Sequence, residues 1–302
     1  MWTQIQYALI YGWIKLHALL PMSVLYVLSD FLYFIVYRVI RYRVSVVRRN
    51  LKAAFPGKSN KELLLLEKKF YHHFADYVVE TLKLAHISLE ELQKRAYVQN
   101  PELIDQLMDK GNPCCLLLMG HFGNWEWYSG STSRFKDACL YQIYRPLNNK
   151  AVDKLFIHLR TKFGSFGIPK NDTGCEVVRL VRNKVRSAVI FLADQTPSPS
   201  NLHYWTNFLN QDTAILTGAE RLARKLNTPV VFLDVQMLER GYYTLEMQLI
   251  TDNPKETPEN WITEEYARRM EKSILRKPEG WLWTHKRWKY KRSDAVTHHG
   301  NN

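Results

Sequence analysis

Residues Cys114–Met119 read Cys-Cys-Leu-Leu-Leu-Met, six apolar residues with no polar alternation, and glycine follows at position 120. A strand with one wet face alternates with a period of two, whereas an unbroken run suits a strand covered on both faces. Similar runs recur at Ala188–Ala193 and Val230–Val235, with an alternating stretch at Thr244–Ile250 and an apolar strand at Cys139–Tyr144. Between them, amphipathic spacing predicts helices over Asn149–Phe163, Glu176–Asn183 and Ile215–Leu226. The expected fold class is therefore α/β, a largely parallel sheet flanked by helices. A chain of 302 residues is long enough to bury a full core around it.

The first hundred residues have a different texture. Residues 1–20 are apolar and aromatic, with Lys15 and His17 among them, and Met22–Tyr37 carry Asp30 as their only charge. Arg38, Arg41, Arg43, Arg48, Arg49 and Lys52 lie just beyond. The apolar run falls short of the roughly 20 residues of a spanning helix. A bundle helix and a membrane anchor, spanning or interfacial, both remain open, with attachment to anionic headgroups the expected arrangement. Residues 59–95 read as helical, opening on a Ser59/Glu62 capping box. The pair His72-His73 points to different faces of that helix and is read as ordinary packing rather than as a metal site. The expected organisation is a membrane-anchoring helical segment over 1–45 and a helical region over 46–100. A catalytic α/β domain over 101–292 and a disordered tail over 293–302 complete it.

Lys and Arg exceed Asp and Glu by 42 − 29 = 13. Such a surplus favours acidic partners: nucleic acid, anionic lipid or an acidic carrier protein. The segment Trp281–Arg292 interleaves aromatic and basic residues. It suits either base stacking or a headgroup-level belt. With no nucleic-acid fold signature in the chain, a membrane or an acidic carrier is the expected partner. Cys114, Cys115, Cys139 and Cys175 have no C-x-x-C spacing and read as reduced core thiols in a cytoplasm-facing protein. For Cys114 and Cys115, packing inside an apolar run is preferred to a role as acyl nucleophiles.

The apolar strand empties into Gly-His-Phe-Gly-Asn-Trp-Glu-Trp, residues 120–127. Ligands of open α/β sheets gather at the carboxyl ends of strands, and Ala193-Asp194-Gln195 marks a second such end. On a straight helix five residues turn by about 500°, so the side chains of His121 and Glu126 would diverge by roughly 140°. They converge only if His121 lies in a turn, made by Gly123 and Asn124, and Glu126 in the first helical turns. A carboxylate so placed fixes the imidazole tautomer. No G-x-S-x-G elbow, Walker loop or G-x-G-x-x-G motif is present. A base without a built-in nucleophile suits a reaction whose acceptor hydroxyl attacks an activated thioester. From spacing alone, a hydrogen bond that merely caps a helix stands equal to this reading. Asp194, closing a buried run, needs a partner in either case.

In its residues the chain resembles a family. His121–Glu126 looks like the H-x4-D/E signature of glycerolipid-type acyltransferases. Further stretches narrow the resemblance to the lipid A biosynthesis (lauroyl/myristoyl, late) acyltransferases: Arg49-Asn50-Leu51 through Phe55-Pro56; Tyr144–Asn149 with Asp153, Arg160 and Gly164; Ala193-Asp194-Gln195; and Pro278-Glu279 through Trp283, His285 and Arg287-Trp288-Lys289. The likeness runs from about residue 5 to 292. It implies a bacterial inner-membrane enzyme with its catalytic domain facing the cytoplasm. That enzyme would move an acyl chain from acyl carrier protein, or acyl-CoA, to a hydroxyl of a lipid A precursor. It implies His121 as general base and Glu126 as its partner, with Asn124, Arg145, Arg160 and Asp194 lining or bracing the substrate site, and no metal or cofactor. Where the family often shows an F-F-G stretch, this chain has Asn207-Phe208-Leu209-Asn210, a difference that bears on the acceptor. The alternatives are the same chemistry on a lysophospholipid or amino-acid lipid, and a non-enzymatic basic membrane-binding module.

Overall fold

The computed structural model describes residues 2–294. Five helices come first: α1 (Trp2–Ala18), α2 (Met22–Tyr33), α3 (Val44–Ala54), α4 (Asn60–Lys83) and α5 (Leu89–Arg95). A π-helical turn, Phe34–Val39, prolongs α2. The sheet begins with β1 (Ala96–Val98), α6 (Glu102–Asp109) and β2 (Cys114–Met119). A 3-10 stretch, Trp125–Arg134, leads on to β3 (Cys139–Tyr144), α7 (Lys150–Thr161), β4 (Phe166–Pro169), α8 (Thr173–Arg182) and β5 (Ser187–Leu192). A hairpin of β6 (Tyr204–Phe208) and β7 (Gln211–Ile215) precedes α9 (Gly218–Leu226), β8 (Val230–Glu239), β9 (Tyr242–Thr251) and α10 (Trp261–Arg276).

Seven strands make one curled sheet in the order β1-β9-β8-β2-β5-β3-β4. Five of them run parallel, while β9 is antiparallel to β8 and carries β1 beside it. This is the expected α/β class. Strand β2 lies at the centre with all six residues buried. Leu116–Leu118 face Val189–Phe191 on one side and Val230–Phe232 on the other. That is why its sequence does not alternate.

Helix α4 starts at the expected capping box: Ser59 Oγ accepts from Glu62 N–H (3.3 Å), and Ser59 N–H donates to Glu62 Oε2 (2.8 Å). Such a cap contributes about 1 kcal/mol. Further along, α4 buries an unusual set of polar residues, including Glu67, Asp76, Glu80 and Lys83. Each is bonded to the N-terminal helices. Tyr37 donates to Glu67 (2.7 Å), Ser29 to Asp76 (2.6 Å) and Tyr26 to Glu80 (3.0 Å), while Lys83 Nζ donates to Ala18 O and Leu20 O (both 2.8 Å). Helices α1 and α2 are therefore fastened to the body along one stripe. Their other stripe exposes Leu9, Trp13, Leu16, Val27 and Phe31. Residues Met22–Val39 are long and apolar enough to cross a membrane.

Several elements differ from the sequence expectation. The helical run 59–95 breaks at Leu84–Ser88, where Ser88 caps α5. Ile215, expected to open a helix, ends β7 instead. Strands β1 and β4, the β6–β7 hairpin, α6 and α10 are additional. Cys114 and Cys115 are buried and burial pushes Cys114 up to about 11, whereas Cys175 is exposed rather than part of the core. The segment Trp281–Arg292 is not a surface platform: Trp281, Trp283 and Arg287 are buried, leaving Lys286, Lys289, Lys291 and Arg292 exposed. Burying the indole rings removes a large apolar area from water, which outweighs exposing them as a belt. Of the expected tail over 293–302, residues 295–302 lie outside the described residues.

Candidate active site

The carboxyl end of β2 runs into a tight turn that brings His121 to the surface. Gly120 has no room for a side chain, since a Cβ there would lie 2.4 Å from Met270 Sδ. Gly123 takes φ +60°, a left-handed conformation that glycine adopts without strain. The C-terminal segment clamps this turn: Leu282 N–H donates to His121 O (3.1 Å), and Gly123 N–H donates to Gly280 O (2.9 Å). Asn50 secures that clamp by donating to Trp283 O (2.9 Å) and His285 O (2.8 Å). The Arg49-Asn50-Leu51 and Trp283/His285 motifs, distant in sequence, thus meet behind the site.

The imidazole is held by Asp194, from the loop after β5. His121 Nδ1 lies 2.6 Å from Asp194 Oδ1, and the His121 backbone N–H donates to Oδ2 (2.9 Å). The indole N–H of Trp281 donates to the same Oδ2 (2.7 Å). Burial pushes Asp194 upward, but His121, through its charge and two hydrogen bonds, together with Trp281, outweighs burial and holds the carboxyl at about 2. With Nδ1–H donating to this carboxylate, Nε2 is the acceptor nitrogen of the ring. The Gln195 amide sits 3.1 Å from Nε2 and donates to it, and the Trp125 ring meets the imidazole edge-on with centroids 5.0 Å apart. The His121 side chain is 14% exposed against 2% for Asp194, so the imidazole is reachable and its carboxylate partner is sealed.

Glu126 has a different partner. Arg160 of α7 takes both its oxygens, Nε to Oε2 at 2.7 Å and Nη2 to Oε1 at 2.6 Å, in a bidentate pair. Burial would lower Arg160, yet Glu126 raises it above its usual value. Burial, together with the Glu126 carboxylate beside it, raises the Tyr77 phenol well above its usual value. The His121–Glu126 hydrogen bond expected from spacing is absent among the described residues, and Asp194 takes that place. The physical reason is the local backbone. Trp125–Arg134 winds as a 3-10 helix, and the half-buried guanidinium of Arg160 lies within reach of the buried Glu126 carboxylate.

The remaining expected residues separate into two groups. Asn124 is fully buried and donates from Nδ2 to Glu80 Oε2 (2.8 Å), so it braces the turn from inside. Arg145 is exposed at the carboxyl end of β3, two strands from β2, and makes no hydrogen bond to His121 or Glu126. Asn149 caps α7 through Ala151 N–H (3.0 Å) and Val152 N–H (3.2 Å), and so sets the helix that carries Arg160. Phe208, from the stretch that departs from F-F-G, packs edge-on to Trp281 with centroids 5.9 Å apart.

Three residues to which the sequence assigned no role also contribute. His285 accepts at Nε2 from Thr196 N–H (3.0 Å), and burial lowers it to about 4. Arg287 is buried with Nη2 donating to Ala214 O (2.7 Å), and burial against the attraction of Asp194 leaves it at about 10. Glu80 bonds Asn124, three residues beyond His121. A signal existed for it: His73, Asp76, Glu80 and Lys83 repeat at intervals of three and four along one stripe of α4.

The sequence pattern of the bacterial lipid A biosynthesis acyltransferases matches residues 2–290. The chain belongs to that family. No curated protein matches it closely enough to count as a relative. As a lipid A biosynthesis acyltransferase the chain is an enzyme that uses an acyl donor and a lipid acceptor. Members of the family are membrane-associated in bacteria, in keeping with the apolar N-terminal helices.

Proposed function

We propose that this lipid A biosynthesis acyltransferase moves a fatty acyl chain from the thioester of acyl carrier protein to a hydroxyl of a lipid A precursor. His121 is the general base. Its Nε2 takes the acceptor proton as the hydroxyl oxygen attacks the thioester carbonyl. The tetrahedral adduct then collapses, the carbon–sulfur bond breaks, and the carrier thiolate recovers the proton from the imidazolium. The observation that supports this reading is the sealed Asp194 carboxylate on Nδ1, which makes Nε2 the acceptor nitrogen on the partly exposed ring, where the acceptor hydroxyl would take the place of the Gln195 amide. Asp194 orients and stabilises the imidazolium, as the aspartate of a serine triad does. Glu126 and Arg160 brace the wall beside it. Arg145 and the exposed cations Arg38, Arg41 and Arg49 suit phosphate groups of the acceptor and anionic lipid.

The same reading lays α1 and α2 in the interface of the inner membrane with the catalytic domain in the cytoplasm. Buried polar bonds tie one stripe of these helices to α4, so their exposed apolar stripe meets acyl chains at the headgroup boundary. Transfer assays with a panel of acyl-carrier and acyl-CoA donors against lipid A precursors and lysophospholipids test the substrate assignment. In those assays His121→Ala is expected to lower transfer about 100-fold or more. A folded His121→Ala protein with near-normal transfer would remove the base from the mechanism.

A further inference from the structure

Glu80 is buried in the last turn of α4, and its carboxylate accepts from three elements at once. Tyr26 of α2 donates to Oε1 (3.0 Å), while Asn124 of the His121 turn and Tyr243 of β9 both donate to Oε2 (2.8 Å each). Its backbone carbonyl accepts a fourth bond, from Trp127 Nε1 (2.8 Å). Asn124 and Trp127, in the second half of the 120–127 segment, are thereby pinned to one helical residue. No cation forms an ion pair with Glu80 among the described residues. An apolar side chain would satisfy the packing with less desolvation. What a carboxylate adds is acceptor capacity for three donors, which a carboxamide with one oxygen does not match.

The Tyr26 bond gives the cluster a direction. Tyr26 lies on the apolar surface helix, and its hydroxyl fills the space left by Gly241, where a Cβ would fall 1.7 Å away. That hydroxyl reaches Glu80 only when α2 is seated on α4. Seating is reinforced nearby by Ser29 on Asp76 and by Arg240, which bridges Asp76 and Asp30 (2.6 Å to each). Burial, opposed by the bonds from Asn124, Tyr243 and Tyr26, raises the Glu80 carboxyl to about 7. A donor gained or lost at Tyr26 therefore acts on a group poised between its two protonation states.

We propose that Glu80 is a positioning residue for acyl transfer, coupling the seating of the membrane-facing helix α2 to the conformation of the turn that carries His121. The inference rests on the acyltransferase reading for its catalytic consequence, but the coupling itself has a readout independent of activity.

The test is hydrogen exchange by mass spectrometry on the full chain, in detergent micelles and on vesicles of phosphatidylethanolamine and phosphatidylglycerol. In Tyr26→Phe and Glu80→Gln, exchange across residues 120–128 should quicken about 10-fold while β3 stays unchanged. Vesicles should slow exchange there in the wild type and have little effect in Tyr26→Phe. Transfer should fall several-fold in kcat with the KM for the acyl donor unchanged. Unchanged exchange over 120–128 in folded Tyr26→Phe protein would overturn the coupling, whatever Glu80→Gln does to folding. If the wild type transfers no acyl group to any acceptor, the acyltransferase reading fails, and the exchange data still decide the role of Glu80.

Discussion

Two acid–base pairs lie beyond the carboxyl end of the central strand, and they are built in opposite ways. His121 and Asp194 are 73 residues apart and meet because β2 and β5 are parallel neighbours whose carboxyl ends coincide. Glu126 and Arg160 are 34 residues apart and meet where the 3-10 segment packs beside α7. In the first pair the imidazole is partly exposed, and its carboxylate is sealed by three donors. In the second pair the guanidinium and the carboxylate satisfy each other through two hydrogen bonds. A pair of the first kind can exchange a proton with a substrate, whereas one of the second kind holds a shape. Proximity in sequence therefore pointed to a carboxylate that His121 does not bond: the acid five positions away pairs with Arg160, and the distant Asp194 bonds the imidazole.

Substitutions can break this comparison. Asp194→Asn should lower transfer by about 100-fold or more with the fold retained, since the amide cannot stabilise an imidazolium. Glu126→Gln should act mainly on stability. It leaves the Arg160 guanidinium with a neutral acceptor, at a cost of roughly 3 kcal/mol, and keeps transfer by the folded enzyme within about 10-fold of the wild type. Thermal melts and steady-state transfer measured together separate the two. If Glu126→Gln proves the more damaging to kcat and Asp194→Asn the milder, the roles assigned to the two carboxylates are reversed.

A smaller effect sharpens the same contrast through pH. His285 is lowered from 6.5 to about 4, because burial disfavours its charged form and Nε2 must stay unprotonated to accept from Thr196. Its contribution to stability is fully present above pH 6.5 and is lost as the pH falls toward 4. Asp194, held at about 2 against an ordinary 3.8, contributes above pH 3.8 and loses that contribution as the pH falls through 2. Denaturant melts between pH 7 and 4.5 should show the wild type losing more stability on acidification than His285→Gln. Parallel curves for the two proteins would remove His285 from the account.

The fold was legible wherever burial wrote itself into local pattern. Cys114–Met119 carries no polar residue because both faces of β2 are covered, and Ser59 with Glu62 announces the start of α4. Helix α10 went unread although Ile262, Tyr266, Met270 and Ile274 recur every four residues along its buried face, because its many charges mask the stripe. The β6–β7 hairpin was harder. Its turn uses Leu209 at φ +50° and Asn210 at φ +62°, and leucine is no marker for that conformation. Trp281 and Arg287 were misread as surface residues because an aromatic-basic alternation has the same composition whether exposed or buried. Only the Asp194 carboxylate and the Ala214 carbonyl distinguish the two cases.

What the sequence determined by itself was the α/β class, the turn after β2 with His121 in it, and the ordered motifs of the family. These depend on the periodicity, turn chemistry and composition of short contiguous stretches. Which carboxylate serves His121, which one braces the wall, and how Glu80 joins the N-terminal helices to the catalytic turn were decided only by the tertiary structure. Each of those contacts joins residues from different elements, and no local pattern encodes which strand ends and helix faces the packed sheet brings within hydrogen-bonding distance.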